Sequence, residues 1–180
     1  MKPFKDMGAG ELAACLASHL QKRGISVVLS GGACVTIYSQ NKYVSLDLDF
    51  VATGFVPRKQ LVRAMSELGF QEKGRHFAHP DTHFLVDFPG GPLSTGKEPV
   101  SKVLQLQFAS GILPILSPTD CVKDRLAGYY HWGDLQCLEQ AVLVALANPI
   151  DLQEVKRWSK REGKLAEFAE IKGRLAGQEP

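Results

Sequence analysis

Val27-Val28-Leu29-Ser30-Gly31-Gly32, followed downstream by Ser45-Leu46-Asp47-Leu48-Asp49-Phe50, is the stretch that decides the fold. Side chains alternate along a strand, so the second segment is expected to turn Leu46, Leu48 and Phe50 to the core and Asp47 and Asp49 together to the other face. Two carboxylates on one strand face repel each other, and Thr or Lys would cover such a face at less cost. A divalent cation removes the conflict, since Mg²⁺ takes one or two carboxylates and completes its shell with substrate phosphates. The plainer reading is the solvated outer face of an edge strand. The upstream segment weighs against it, because a buried strand that breaks at paired glycines into a helix start offers backbone N–H groups and a helix dipole to an anion.

A third acid follows on a later strand. In Thr82-His83-Phe84-Leu85-Val86-Asp87-Phe88, the residues Phe84, Val86 and Phe88 make the apolar face, and Asp87 points the opposite way with His83 and Leu85. A carboxylate in so apolar a strand calls for a cationic partner or a metal ion.

Working outward, Gly10 to Arg23 carries Leu12, Cys15, Leu16, His19 and Leu20 at helical spacing, and Gly24 stops the helix. Ile25 to Leu29 reads as a buried strand, Ala33 to Tyr38 as one or two helical turns, and Ser45 to Val51 as the next strand. Pro57 to Leu68 is a helix with Leu61, Ala64, Met65 and Leu68 inward. Arg75 to Ala78 and Thr82 to Phe88 are strands around the His79-Pro80-Asp81 turn, and Pro89 to Pro99 is a Gly- and Pro-rich loop. Val103 to Phe108 and Ile112 to Leu116 complete the strands.

From Ser117 onward the pattern is helical: Pro118 to His131, Asp134 to Ala147, Leu152 to Arg161 and Lys164 to Leu175. Ser117, Pro118 and Asp120 supply the cap, the first-turn proline and the early acid of a helix start. The expectation is an α+β fold in which residues 1–116 form a mixed α/β head and residues 117–180 a helical region packed on it as one compact unit.

The series strand, Gly-Gly, helix, Asp-x-Asp on the next strand and a later strand acid resembles the nucleotidyltransferase superfamily typified by DNA polymerase β. Within it the chain looks most like the minimal and toxin-type bacterial enzymes of the AbiEii class, over roughly residues 25 to 140. The resemblance implies a nucleotidyltransferase-like mixed β-sheet backed by helices, with a C-terminal helical bundle. It implies that Ser30, Gly31 and Gly32 hold a nucleoside triphosphate and that Asp47 and Asp49 bind Mg²⁺ or Mn²⁺. Asp87 would complete the metal site or act as the base. Arg125 falls where those relatives usually carry a Lys, with Lys123 as the alternative phosphate partner, and Asp134 falls where an acid follows. The gap from Gly32 to Asp47 is longer than usual for the family, implying an extended loop around Ser39-Gln40-Asn41-Lys42.

The implied activity is transfer of a nucleoside monophosphate from an NTP to an acceptor: the end of a transfer RNA, a protein hydroxyl or a small molecule. A toxin role would bring a cognate antitoxin as partner. Two other readings stand beside it: a catalytically silent binding or regulatory protein on the same fold, and a metal-dependent phosphodiesterase.

Bulk properties bound these readings. A chain of 180 residues with 44% hydrophobic and 22% charged residues is an ordinary globular protein large enough to bury a core. A net charge of +2 gives no argument for a polyanionic partner. The longest apolar run, Ala141 to Ala147, is about a third of the ~20 residues a membrane span needs. The start MKPFKDMGAGELAACL lacks the features of a signal peptide, so a cytoplasmic protein is expected.

Other motifs carry less. Gly91-Pro92-Leu93-Ser94-Thr95-Gly96-Lys97 matches most of a P-loop, but Glu98 and Pro99 stand where the hydroxyl and the helix are required; a mobile flap over the site is the better expectation. His76, His79 and His83 straddle a turn with no soft ligand beside them. Tyr129-Tyr130-His131-Trp132 is better read as helix packing than as a base-stacking platform. Cys15, Cys34, Cys121 and Cys137 form no CxxC pair and are expected as reduced, buried thiols.

Overall fold

The computed structural model describes residues 2–100 and 102–178. Helix α1 (Ala9–Lys22) leads into β1 (Val27–Ser30), which passes without a linker into α2 (Gly31–Tyr38) and then β2 (Asp47–Ala52). Next come α3 (Arg58–Ser66), β3 (Gln71–Lys73), β4 (His76–Ala78), β5 (Leu85–Asp87), β6 (Ser94–Thr95), β7 (Glu98–Pro99), β8 (Val103–Phe108) and β9 (Gly111–Leu116). The chain ends in four helices, α4 (Pro118–Trp132), α5 (Leu135–Ala147), α6 (Leu152–Arg161) and α7 (Leu165–Leu175).

Seven strands make one mixed sheet in the order β3-β4-β5-β2-β1-β9-β8, and β6 and β7 form a separate small hairpin. The central strands set the geometry of everything that follows. β1 runs antiparallel to β2 and parallel to β9, while β2 runs parallel to β5. Leu29, Leu48, Phe50, Phe77, Val86 and Ile115 are fully buried on the sheet. Helix α1 packs on β1, β8 and β9, and α2 touches β2, α4 and α5.

The helical half is built from local signals. Ser117 Oγ accepts from Asp120 N at 3.1 Å and Pro118 occupies the first turn of α4. Asp134 and Asp151 cap α5 and α6 in the same way, each accepting two backbone N–H bonds. Asp134 is therefore a helix cap, a role its position in the resemblance did not assign. Trp158 is fully buried, stacked on Tyr130 at 5.7 Å, with its indole Nε1 donating to Thr95 O at 2.9 Å.

Three expectations are corrected. The strand begins at Asp47, and Leu46 is half exposed rather than in the core. Residues 71–73 form β3, which the polar sequence Gln71-Glu72-Lys73 concealed. Residues 94–99 are not a mobile flap: Glu162 accepts from Lys97 N at 2.8 Å, and Arg157 and Arg161 both pair with Glu98. With Thr95 tied to Trp158, that hairpin is fastened to α6.

Candidate active site along a row of carboxylates

Strand register brings the candidate residues together. Ser30 pairs with Asp49 across β1 and β2, Asp49 pairs with Asp87 across β2 and β5, and Asp87 pairs with His76 across β5 and β4. Register partners place their side chains on the same face of a sheet. Ser30, Asp49, Asp87 and His76 thus form one row on one face, with Asp47 two residues earlier on β2 and beside Leu85.

The Gly31 turn closes against this row. Gly31 has φ of 68°, a conformation that favours glycine, and a Cβ there would overlap Asp49 Oδ2. A Cβ on Gly32 would meet Ser45 Oγ at 3.1 Å. The Ser30 side chain makes no capping bond to α2, and its hydroxyl donates instead to Asp49 O at 3.3 Å. The first-turn N–H groups of α2 consequently stand beside the carboxylates without a side-chain cap.

The electrostatics follow from this crowding. Burial, then the neighbouring Asp47 and Asp87 carboxylates, push the Asp49 carboxyl up to about 6, while Arg125 acts in the opposite direction. Three carboxylates gathered on one face, the central one raised by burial and by the other two, form a site short of positive charge. Asp87 is partly compensated already: its Oδ1 accepts from Phe88 N at 2.8 Å, and Oδ2 lies 3.5 Å from Arg75 Nε and 3.8 Å from His76 Nδ1.

Arg125 reaches the site from α4. It holds Asp124 Oδ2 at 2.6 Å and donates to Gln140 Oε1 at 3.3 Å. Burial opposes its charge, and Asp124 more than offsets that, so the guanidinium stays protonated. Lys123 is elsewhere. Two helical residues span about 200° around the axis, and Lys123 is buried between Asp120 at 2.8 Å and Glu154 at 3.2 Å. Its expected role as an alternative phosphate partner is corrected to that of a structural ion pair.

The other motifs are absorbed by packing only in part, and Trp132, expected to pack between helices, is 81% exposed. His79 sits against Phe4 and Phe70, His83 is exposed, and Tyr130 is buried on Trp158. Cys34, Cys121 and Cys137 are free thiols, and Cys15, Cys34 and Cys121 are buried while Cys137 is only partly so. No helix among the described residues is long and apolar enough to cross a membrane. A cavity of about 730 Å³ lies at the far end of β2 between Ala52–Val56 and Phe88–Leu93, and none of the candidate residues lines it.

Comparison with solved structures bears on the fold. An antigenic nucleotidyltransferase-like protein from Paracoccidioides brasiliensis superposes with a TM-score of 0.64 at 15% identity, over 97% of this chain and 94% of that one. The solution structure of the antibiotic-resistance factor ANT(2'')-Ia gives 0.54 at 13% identity, over 90% of this chain and 96% of that one. The chain has a nucleotidyltransferase-like fold. The crystal structure of ANT(2'')-Ia in complex with adenylyl-2''-tobramycin matches with a TM-score of 0.52 at 14% identity, over 90% of this chain and 97% of that one. No protein-family model matches the sequence, and no curated protein matches it.

On this fold the donor set suits a hard divalent cation: carboxylate oxygens only, crowded enough to raise the pKa of the central one. Among the described residues, however, no three His, Cys, Asp or Glu side chains converge to enclose an ion by themselves. Asp87 shares the face but turns toward Phe88 N, Arg75 and His76, which leaves Asp47 and Asp49 as the candidate ligand pair. Asp124 and Arg75 were not singled out from the sequence, and His76 was weighed only as one of three histidines around a turn. Register alone reveals His76, and Asp124 is visible only once α4 is placed.

Proposed function

We propose that the chain is a metal-dependent nucleotidyltransferase that moves a nucleoside monophosphate from an NTP to a hydroxyl acceptor, with release of pyrophosphate. The observation that carries this reading is the Ser30–Asp49–Asp87 register with the Gly31 turn closed against it. Asp47 and Asp49 would hold Mg²⁺ or Mn²⁺. When bound, such an ion supplies charge that stabilises the attacking and leaving oxygens of an in-line displacement.

The chain's own residues account for the rest. The N–H groups at Gly31 and Gly32 and the start of α2 face the triphosphate, and Arg125, oriented by Asp124 and Gln140, adds positive charge. The acceptor oxygen forms its bond to the α-phosphorus as the bond from that phosphorus to the bridging oxygen breaks. Pyrophosphate leaves with the electron pair, and the hydroxyl proton passes to Asp87. ANT(2'')-Ia, solved with adenylyl-2''-tobramycin, brings small hydroxylated molecules into consideration as acceptors.

Equilibrium binding of each NTP, with Mg²⁺ and with chelator, tests the reading. Binding should require the metal and should weaken at least roughly tenfold in Asp49→Asn, the loss of one charge-assisted interaction. Metal-independent binding of equal strength in both proteins would refute it.

A further inference from the structure

We infer that the acceptor carries a phosphate group beside its nucleophilic hydroxyl, and that Arg75 is the residue that recognises it. The inference rests on the nucleotidyltransferase reading and names the substrate class of the same site.

Direction comes first. In phosphoryl transfer, nucleophile and leaving group lie in line on opposite sides of the phosphorus. Gly31 and the start of α2 flank the row at its β1 end and face the leaving pyrophosphate. Asp87, the proton acceptor, lies on the other side of Asp49. The acceptor must then approach over β5 and β4.

That side of the row is basic. His76 pairs with Asp87 across β5 and β4, and Lys73 pairs with His76 across β4 and β3, so the row continues outward to a cationic lysine. Between them in sequence stands Arg75, with its side chain 80% exposed. Its Nε contacts His76 Nε2 at 3.3 Å and lies 3.5 Å from Asp87 Oδ2. Its two terminal amino groups donate no hydrogen bond to any described residue. His76 Nδ1 is also buried without a hydrogen-bond partner.

A guanidinium held by one edge against the proton acceptor, with its outer donors unused, is arranged for a bidentate contact with an incoming phosphate. The nearby acid Glu72 does not compete, because it pairs with Phe77 in the alternate row and is bound to Arg58 at 2.7 Å. Asp81, in the turn between β4 and β5, is exposed. A polycationic amino sugar would meet Arg75 and Lys73 as like charges. A phosphate ester would be attracted, with its hydroxyl delivered to Asp87.

Two sources supply this chemistry: the 3′ end of a polynucleotide, and a small sugar phosphate. The test is transfer from α-labelled NTP, in Mg²⁺, to four acceptors: a short RNA, ribose 5-phosphate, ribose, and a polycationic amino sugar. Wild type should label the RNA or the sugar phosphate and neglect the other two; which of the pair is labelled identifies the source. Arg75→Ala should raise the KM for that acceptor roughly tenfold or more, the worth of a bidentate phosphate contact, with a far smaller effect on the KM for NTP. Arg75→Lys should recover part of the loss, and Arg75→Glu should shift preference toward the amino sugar. Equal labelling of neutral or cationic acceptors, or an acceptor KM unmoved in Arg75→Ala, overturns the inference. If none of the four is labelled while Mg²⁺-dependent NTP binding persists, the acceptor class is wrong and the nucleotidyltransferase reading stands. If NTP binding is absent too, both fall.

Discussion

The Asp49 carboxylate occupies the space that a Cβ on Gly31 would fill. Two demands meet at this contact: a backbone with φ of 68° and a side-chain-free approach to the central acid of the row. The glycine therefore determines where Asp49 sits as well as how the chain turns.

Gly31→Ala should damage stability and site together. A non-glycine residue at positive φ costs on the order of 1–2 kcal/mol, and the overlap displaces Asp49 in addition. Thermal melting should report a clear loss, and Mg²⁺-dependent NTP binding should fall further than stability alone explains. Full binding in a folded Gly31→Ala protein would contradict the contact.

Asp49 gives a pH dependence with a defined sign. Its carboxyl is pushed up to about 6 by burial, Asp47 and Asp87, whereas in the unfolded chain it titrates near the ordinary value of about 4. A carboxyl raised on folding favours the folded state when protonated, so metal-free stability falls as pH rises from about 4 through about 6. A shift of this size corresponds to at most on the order of 2–3 kcal/mol. In chelator, Asp49→Asn should melt above wild type by roughly 0.5–2 kcal/mol at pH 7.5, and the difference should vanish near pH 4. Millimolar Mg²⁺ should raise the wild-type melting temperature at pH 7.5 and leave the variant nearly unmoved.

Lys123 and Arg125 separate structure from binding. Lys123→Ala leaves Asp120 buried without its partner at 2.8 Å, which should cost about 2–4 kcal/mol of stability, with little change in NTP affinity once the protein is folded. Arg125→Ala should weaken NTP binding, and the loss should shrink as salt rises. The reverse pattern in melting and titration experiments would exchange their roles.

Trp158→Phe removes the bond from the indole to Thr95 O. An unsatisfied buried carbonyl costs about 1–3 kcal/mol. Limited proteolysis within residues 94–99 should accelerate, since this bond helps fasten the hairpin to α6.

The central strands and the tail helices were legible because their signals are local. Alternation placed Leu48 and Phe50 inward with Asp49 on the opposite face, and Ser117-Pro118 announced α4. The relation of Asp49 to Asp87 was legible as a shared chemistry but not as a neighbour pair, since register between strands 38 residues apart is set by the whole sheet. Asp124 and Arg75, and the place of His76 beside Asp87, stayed hidden for the same reason. The resemblance put Arg125 first with Lys123 as the alternative, and only the placement of α4 shows Lys123 buried between Asp120 and Glu154. The β6–β7 hairpin escaped because its tether is tertiary: Glu162 and Trp158 lie more than 60 residues away along the chain.

The most direct test of a metal-dependent nucleotidyltransferase is the fate of label from α- and γ-labelled NTPs incubated with the protein and a cell extract. With Mg²⁺, the α label should appear on an acceptor and the γ label in pyrophosphate, and both should be lost in chelator and in folded Asp47→Asn and Asp49→Asn proteins. Label released without attachment to any acceptor would point to hydrolysis. No turnover of any NTP by a folded, Mg²⁺-supplied wild type would contradict the enzyme and leave a silent binding protein on the same fold.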